Sequence, residues 1–211
     1  MKKLLFILLP LVILMINSCD PPVTFSEPQP EKVNNLQSFP KKYLGEYVSN
    51  TDNSILTISH QEIIRQMKEE ATLSVADLDT TVQLMDNKIL DKVTGEEYPV
   101  DRKGDSITYR IEYTDTLFLI ADGNVLRRFK GYLFLNVEGK QGWEVKRLHV
   151  EKGTLVMGSV TRKEDIATLK SISESKLDTM PYQFSPSKRQ FREFIRKRGF
   201  SDEEVFVRKK K

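Results

Sequence analysis

Ser106-Ile107-Thr108-Tyr109-Arg110-Ile111-Glu112-Tyr113-Thr114 alternates without a break. Ile107, Tyr109, Ile111 and Tyr113 share one face, and Thr108, Arg110 and Glu112 the other. A period of two over this length specifies a β-strand with one covered face. Working outward, the same grammar recurs. Thr114-Asp115 is expected to turn into 117–121. Asp122-Gly123-Asn124 turns again into 125–129, and Asp-Gly is a strong hairpin cue. The run 132–137 (YLFLNV) is apolar at nearly every position, which predicts a central strand covered on both faces. A loop at 139–142 leads into 143–150, where the apolar parity slips from Trp143 and Val145 to Leu148 and Val150. Such a slip predicts a bulge or sharp twist at Lys146-Arg147. Lys152-Gly153 leads into 155–160.

Upstream, 43–48, 55–59 and 63–67 read as strands. Leu84-Met85 and Ile89-Leu90 flank Asp86-Asn87 as a hairpin, and Thr94-Gly95 precedes a strand at 98–100. Short strands with brief turns and no long helices between them predict a mainly β fold. The expected form is an antiparallel meander making a curved sheet, barrel or sandwich, with one or two helices at the carboxy terminus. Of these, a barrel-like or strongly curved sheet is preferred. For the helices, Thr161 and Glu164 fit a capping box ahead of Ile166, Leu169 and Ile172. Ser185 or Ser187 caps a second helix, with Pro186 in its first turn and Phe191, Phe194 and Ile195 at helical spacing. Gly199 suits a C′ position and Phe200 a Schellman ending. The apolar stripe is expected to pack on the sheet. A last short strand is expected at 205–207.

The amino terminus carries an address. Lys2 and Lys3 precede an apolar run at 4–16, interrupted only by Pro10 and shorter than the roughly 20 residues that span a bilayer. That is the pattern of a cleaved export signal. Its end, Ile16-Asn17-Ser18-Cys19, resembles the lipobox of bacterial lipoproteins, departing only at Ile16, where Leu is usual in enterobacteria. The resemblance implies a diacylglycerol on the Cys19 sulfur, cleavage just before Cys19 and acylation of the new amino group. Cys19 is the only cysteine in the chain, so lipidation also accounts for an odd thiol in an exported protein. Two or three acyl chains give stable anchoring.

Four regions follow: a signal peptide at 1–18, a Pro-rich tether at 19–40, a β-rich domain at 41–160, and helices with a basic tail at 161–211 packed on that domain. Five of the nine prolines fall within 21–40, and no glycine occurs before Gly45. Such a segment favours extended, semi-rigid chain, with docking expected near Phe39.

Phe25-Ser26-Glu27-Pro28-Gln29-Pro30, Leu36, Phe39-Pro40 and Tyr43-Leu44-Gly45-Glu46-Tyr47 resemble the start of uncharacterised cell-envelope lipoproteins of Bacteroidota. Leu78-Asp79-Thr80-Thr81 and Gly199-Phe200-Ser201 fit the same group. The resemblance covers most of the mature chain and implies location rather than chemistry. In that group an acid-rich tract after the cysteine marks export to the cell surface. Asp20 alone is a poor match, which favours an anchor facing the periplasm; the outer membrane is the expected site, with the inner membrane and the cell surface as alternatives.

The chain offers little to catalysis. His60 and His149 lack metal-ligand spacing, and no metal or cofactor is implied. There is no Gly-x-Ser-x-Gly elbow, no thiol nucleophile apart from Cys19 and no phosphate-binding loop. Asp77 and Asp79 lack the rest of a calcium loop and read as a turn. Trp143 is expected in or near the core. Charge is uneven: from Lys188 to the end, ten Lys or Arg stand against four acids. This basic end suits an anionic surface or an acidic envelope protein; nucleic acid does not suit an exported chain. The expectation is a membrane-anchored, non-catalytic binding or accessory module, with the membrane engaged through the lipid on Cys19. The alternative is a lipocalin-like carrier with an apolar cavity lined from Ile107, Tyr109, Ile111 and Tyr113. An envelope hydrolase is a third reading, which needs a cleft with paired carboxylates.

Overall fold

The computed structural model describes residues 22–177 and 179–209. The signal peptide and Cys19 lie outside the described residues. Among the described residues the fold is mainly β and antiparallel, with two α-helices. In chain order the strands are β1 (Val23–Phe25), β2 (Asn35–Leu36), β3 (Gly45–Ser49), β4 (Ile55–Ile58), β5 (Glu62–Ser74), β6 (Val82–Met85), β7 (Lys88–Asp91), β8 (Glu97–Lys103), β9 (Ser106–Leu119), β10 (Val125–Phe129), β11 (Tyr132–Gly139), β12 (Gly142–Glu151) and β13 (Thr154–Ser159). Helix α1 (Lys163–Ile172), β14 (Tyr182–Phe184), α2 (Lys188–Arg196) and β15 (Asp202–Arg208) complete it.

The described chain divides into two compact units, 68–113 and the remainder, where the sequence suggests one domain. β5 and β9 contribute residues to both.

In the larger unit the strand order is β2-β10-β11-β12-β13-β15-β3-β4-β5. β10 to β13 is a meander, as expected, but the carboxy-terminal β15 inserts between β13 and β3. This sheet is open and strongly curved. The Tyr43 hydroxyl lies 3.5 Å from the Gly131 carbonyl oxygen. Those residues adjoin β3 and β11, four strands apart in the order, which in a flat sheet would separate them by about 19 Å. Tyr43, Tyr47, Leu56, Leu133, Leu148 and Phe206 are among the side chains filling the inner face. The outer face of β11 and β12 carries a second cluster, in which Phe134 and Val145 meet Leu169 of α1 and Phe191 and Phe194 of α2. β11 is thus covered on both faces, as its composition predicts.

The same double cover corrects the reading of β12. Its register runs unbroken against β11 (Leu133↔Leu148 to Gly139↔Gly142) and against β13 (Arg147↔Gly158 to Glu151↔Thr154), with no bulge at Lys146-Arg147. Val145 packs on the helix side and Leu148 on the inner side. Parity slips because the more apolar face changes along the strand, not because the backbone does.

Other expectations shift too. From Pro22 on, the stretch assigned to a tether lies on the larger unit. β1 pairs in parallel with β14 and touches β12 at Phe25↔Trp143, and Val23, Phe25 and Phe39 are buried. Thr114-Asp115 makes no turn, since β9 continues through it to Leu119. Without Gly or Pro, and with β-branched Thr114 and Thr116, nothing there stops a strand. The Asp122-Gly123 turn exists, with Gly123 left-handed at φ 78°, yet it joins no hairpin, because β10 pairs with β2 and β11.

Helix α1 has Arg162 at its N-cap with no side-chain cap, while Thr161 Oγ1 donates to Asp202 Oδ2 instead. α2 is capped by Ser187 in a reciprocal box with Gln190, which leaves Pro186 just outside the helix. Its Schellman ending is present: the Gly199 N–H donates to the Phe194 carbonyl (3.0 Å) and the Arg198 N–H to Ile195 (3.0 Å). The left-handed C′ residue is Arg198, at φ 61°. Gly199 is required for another reason, since a Cβ there would fall 2.3 Å from the Phe194 ring.

The smaller unit is a meander, β6-β7-β8-β9, with residues 68–74 of β5 beside β9. Ile89, Val100 and Ile107 form its core. Lys68–Glu112 (2.6 Å), Arg110–Glu70 and Thr72–Thr108 (2.9 Å) are successive cross-strand rungs of one register. Such exposed ion pairs fix register more than they stabilise.

Candidate functional site

Most residues marked by the sequence are not brought together. His60 lies exposed between β4 and β5. His149 sits on β12 beside the Tyr132 ring (5.2 Å), with Glu151 3.6 Å from its Nε2. Asp77 and Asp79 fall in the turn after β5, where the Asp79 carboxylate accepts the Thr81 N–H at 2.8 Å. Trp143 packs partly buried against the helix-side cluster, as expected. Among the described residues no three His, Cys, Asp or Glu are grouped to hold a metal, and no helix is long and apolar enough to cross a membrane. The four residues named for an apolar cavity do not share one environment: Ile107 is fully buried in a packed cluster, whereas Tyr113 is exposed.

The groups with displaced titration also have local explanations. Burial raises Tyr43 to about 12, against the nearby Arg128 charge. A hydrogen bond to Glu96, aided by burial, raises Tyr98 to about 12. Burial pushes the Asp52 carboxyl up, but hydrogen bonds from Ser54 and Ser49 and the Arg65 charge outweigh it and hold the group well below the usual carboxylate range.

What the fold does assemble is a strapped amino terminus and a basic end. Buried Asn136 of β11 accepts the Gln29 N–H at 2.5 Å, and its amide donates to the Gln29 carbonyl (3.0 Å) and to Val125 (2.9 Å). Arg127 of β10 donates to the carbonyls of Pro28 and Pro30 and to Asn35 Oδ1 (2.9 Å). Two side chains thus stand in for the missing sheet partner of a proline-rich segment in which Gln29 supplies the N–H that Pro28 and Pro30 lack. Likewise buried Asp165 of α1 accepts the Ser201 N–H (2.7 Å) and hydroxyl (3.1 Å), which fixes the Gly199-Phe200-Ser201 corner. The short segments 28–30 and 199–201 therefore occupy structural positions.

The basic end gathers Lys130 from the β10–β11 turn with Lys188, Arg189 and Arg192 of α2, which line one open cleft with Phe129. Ser187 starts the helix there, and buried Phe191 and Phe194 turn the arginines outward. Lys188 Nζ lies 5.7 Å from the centre of the Phe129 ring. Arg189, Arg192 and Lys130 have no acidic partner among the described residues, while Arg196 and Lys197 share Glu193 at 3.9 and 3.5 Å. Unpaired guanidinium groups on a rigid helix suit carboxylates or phosphates. The sequence marks the helix as basic. Lys130, 58 residues earlier in the numbering, gives no local sign of joining it.

The other end of the larger unit holds Pro22, the first described residue. The Tyr182 N–H donates to the Pro22 carbonyl at 2.9 Å. Pro181 lines a small cleft with Gly139, Lys140 and Gln141, at the end of β11 remote from Lys130. Seven residue steps of β11, about 23 Å, separate the two ends.

Compared with family models, with curated proteins and with solved structures, the chain matches none of them.

Proposed function

We propose that this protein is a lipid-anchored module of the bacterial cell envelope that acts by binding rather than by catalysis. Cys19 is its lipidated first mature residue, the outer membrane facing the periplasm is its site, and its basic end is offered to an acidic protein partner. The observation that supports this reading most is the spacing: the chain joins the β body at Pro22, three residues after Cys19, while Lys130, Lys188, Arg189 and Arg192 cluster at the opposite end of β11. A lipid foot at one end leaves the basic cluster about 23 Å further out, so it is better placed for a protein than for the anchoring bilayer.

The test is metabolic labelling with an alkyne palmitate analogue in the expressing bacterium. The wild-type protein takes up label and fractionates with membranes, and Cys19→Ala abolishes both. A wild-type protein that stays unlabelled contradicts the proposal.

A further inference from the structure

Two clefts on the exposed side of α2 share their walls. Arg189 and Arg192 line the first with Phe129, Lys130 and Lys188, and the second with Glu193 and Arg196. Residues three apart on a helix lie on one side, about 4.5 Å apart along the axis, so the two arginines stand as a row. The first cleft, of about 390 Å³, is more than a patch of charge. Phe129 of β10 packs half-buried against the helix-side cluster, and its ring lies beside the Lys188 ammonium.

Two acids lie near the row, and each is already engaged. The Glu31 carboxylate accepts the Lys188 N–H at 3.2 Å and lies 3.8 Å from Lys32, and Glu193 is shared by Arg196 and Lys197. The start of α2 is closed as well. The Ser187 N–H donates to Gln190 Oε1 (2.8 Å), the Gln190 N–H to Ser187 Oγ (3.3 Å), and the Lys188 N–H to Glu31. A phosphate held at a helix N-terminus needs those amides free. What is left to bind a ligand here is guanidinium and ammonium on side chains, with an aromatic ring between them. Glu31 shows within the chain itself that a peptide carboxylate fits at the head of the row.

We infer that this row binds an acidic segment of a protein partner in which an aromatic side chain stands between carboxylates. The aromatic side chain covers Phe129 in the first cleft, and the flanking carboxylates pair with Lys130, Arg189 and Arg192. Aromatic rings meeting edge to face add to the area that they bury, and arginine forks match carboxylates. Recognition of acidic motifs by arginine clusters is a recurrent mode, and here the ring makes it selective against a plain polyanion. Buried Phe191 and Phe194 hold α2 in place, so the row costs little ordering on binding. This inference rests on the proposed role of the basic end as the site for an acidic partner, and it adds what that partner must present.

The test uses the full-length protein, purified from membranes in a nonionic detergent. The probe is a short fluorescein-labelled peptide in which one phenylalanine is flanked on both sides by glutamates, followed by fluorescence anisotropy. The wild-type protein binds it several-fold more tightly than the same peptide with serine for phenylalanine. Arg192→Glu weakens binding about tenfold or more, since it sets like charges together. Lys140→Glu, the same change of charge at the other end of β11, leaves it unaltered. Both positions are exposed, so neither substitution threatens the fold. Equal affinity for the two peptides, still lost in Arg192→Glu, overturns the aromatic determinant and leaves the acidic partner standing. Binding of neither peptide, or equal weakening by Arg192→Glu and Lys140→Glu, overturns both. Inorganic polyphosphate bound more tightly than the phenylalanine peptide overturns the choice of a protein as occupant. The palmitate label on Cys19 is read separately, so none of these outcomes bears on the anchor.

Discussion

Asn136 shows how one side chain can decide the fate of a segment. It is fully buried and satisfies both backbone groups of Gln29, 107 residues away in the chain. Asn136→Ala leaves the Gln29 N–H and carbonyl buried without partners, at a cost of roughly 1–3 kcal/mol for each unsatisfied group. We expect a urea midpoint well below wild type, together with faster proteolysis within 26–36. An unchanged midpoint would mean that the strap is not held this way. Asp52 gives a pH dependence of definite sign. Its folded pKa lies below its unfolded value, so its contribution is complete above about pH 4 and is lost as pH falls through the folded value. The stability gap between wild type and Asp52→Asn should be widest near neutrality and close under acid, as followed by denaturant unfolding at several pH values. A gap that grows on acidification contradicts the assignment. At this scale the sequence was only partly legible. Composition cannot reveal that Asn136 and Arg127 would serve as backbone partners for Gln29 and Pro28, because that pairing is long-range. The same holds for Arg198, which takes the left-handed position that a glycine normally fills, while Gly199 answers to the Phe194 ring beside it.

Among the elements, β15 matters most. It fills the gap between β13 and β3, with six paired positions along β13 and three along β3. A chain ended at Ser201 leaves two long interior edges open and uncovers Phe206's place in the core. The expected result is loss of the cooperative thermal transition by circular dichroism; a native-like transition would show that β13 and β3 close without it. β11 was legible because four successive buried residues need cover on two sides. β12 was not, because a slip of parity has two physical causes, a bulge or a change of which face is more apolar, and only the neighbours distinguish them. β9 was legible as a strand and illegible in length, since Thr114-Asp115-Thr116 neither promotes nor stops one.

For the whole molecule, the sequence suggests an anchor followed by a spacer, while the fold takes up the chain from Pro22 on. Prolines between 21 and 40 suggest a spacer, yet Val23, Phe25 and Phe39 outweigh that composition by burial, each contributing about 1.5–3 kcal/mol. Under the proposed lipidation, the larger unit would be tied at its Pro22 end and would carry Lys130, Arg189 and Arg192 at the other end of β11. That arrangement turns lipidation at Cys19 into the premise for the orientation and for the partner surface alike. The most direct measurement is the mass of the amino-terminal peptide of the native protein, released by protease and read by mass spectrometry. The account predicts a peptide that begins at Cys19 and carries a diacylglyceryl group and a further acyl chain. A peptide beginning upstream of Cys19, or one bearing an unmodified thiol there, would contradict it.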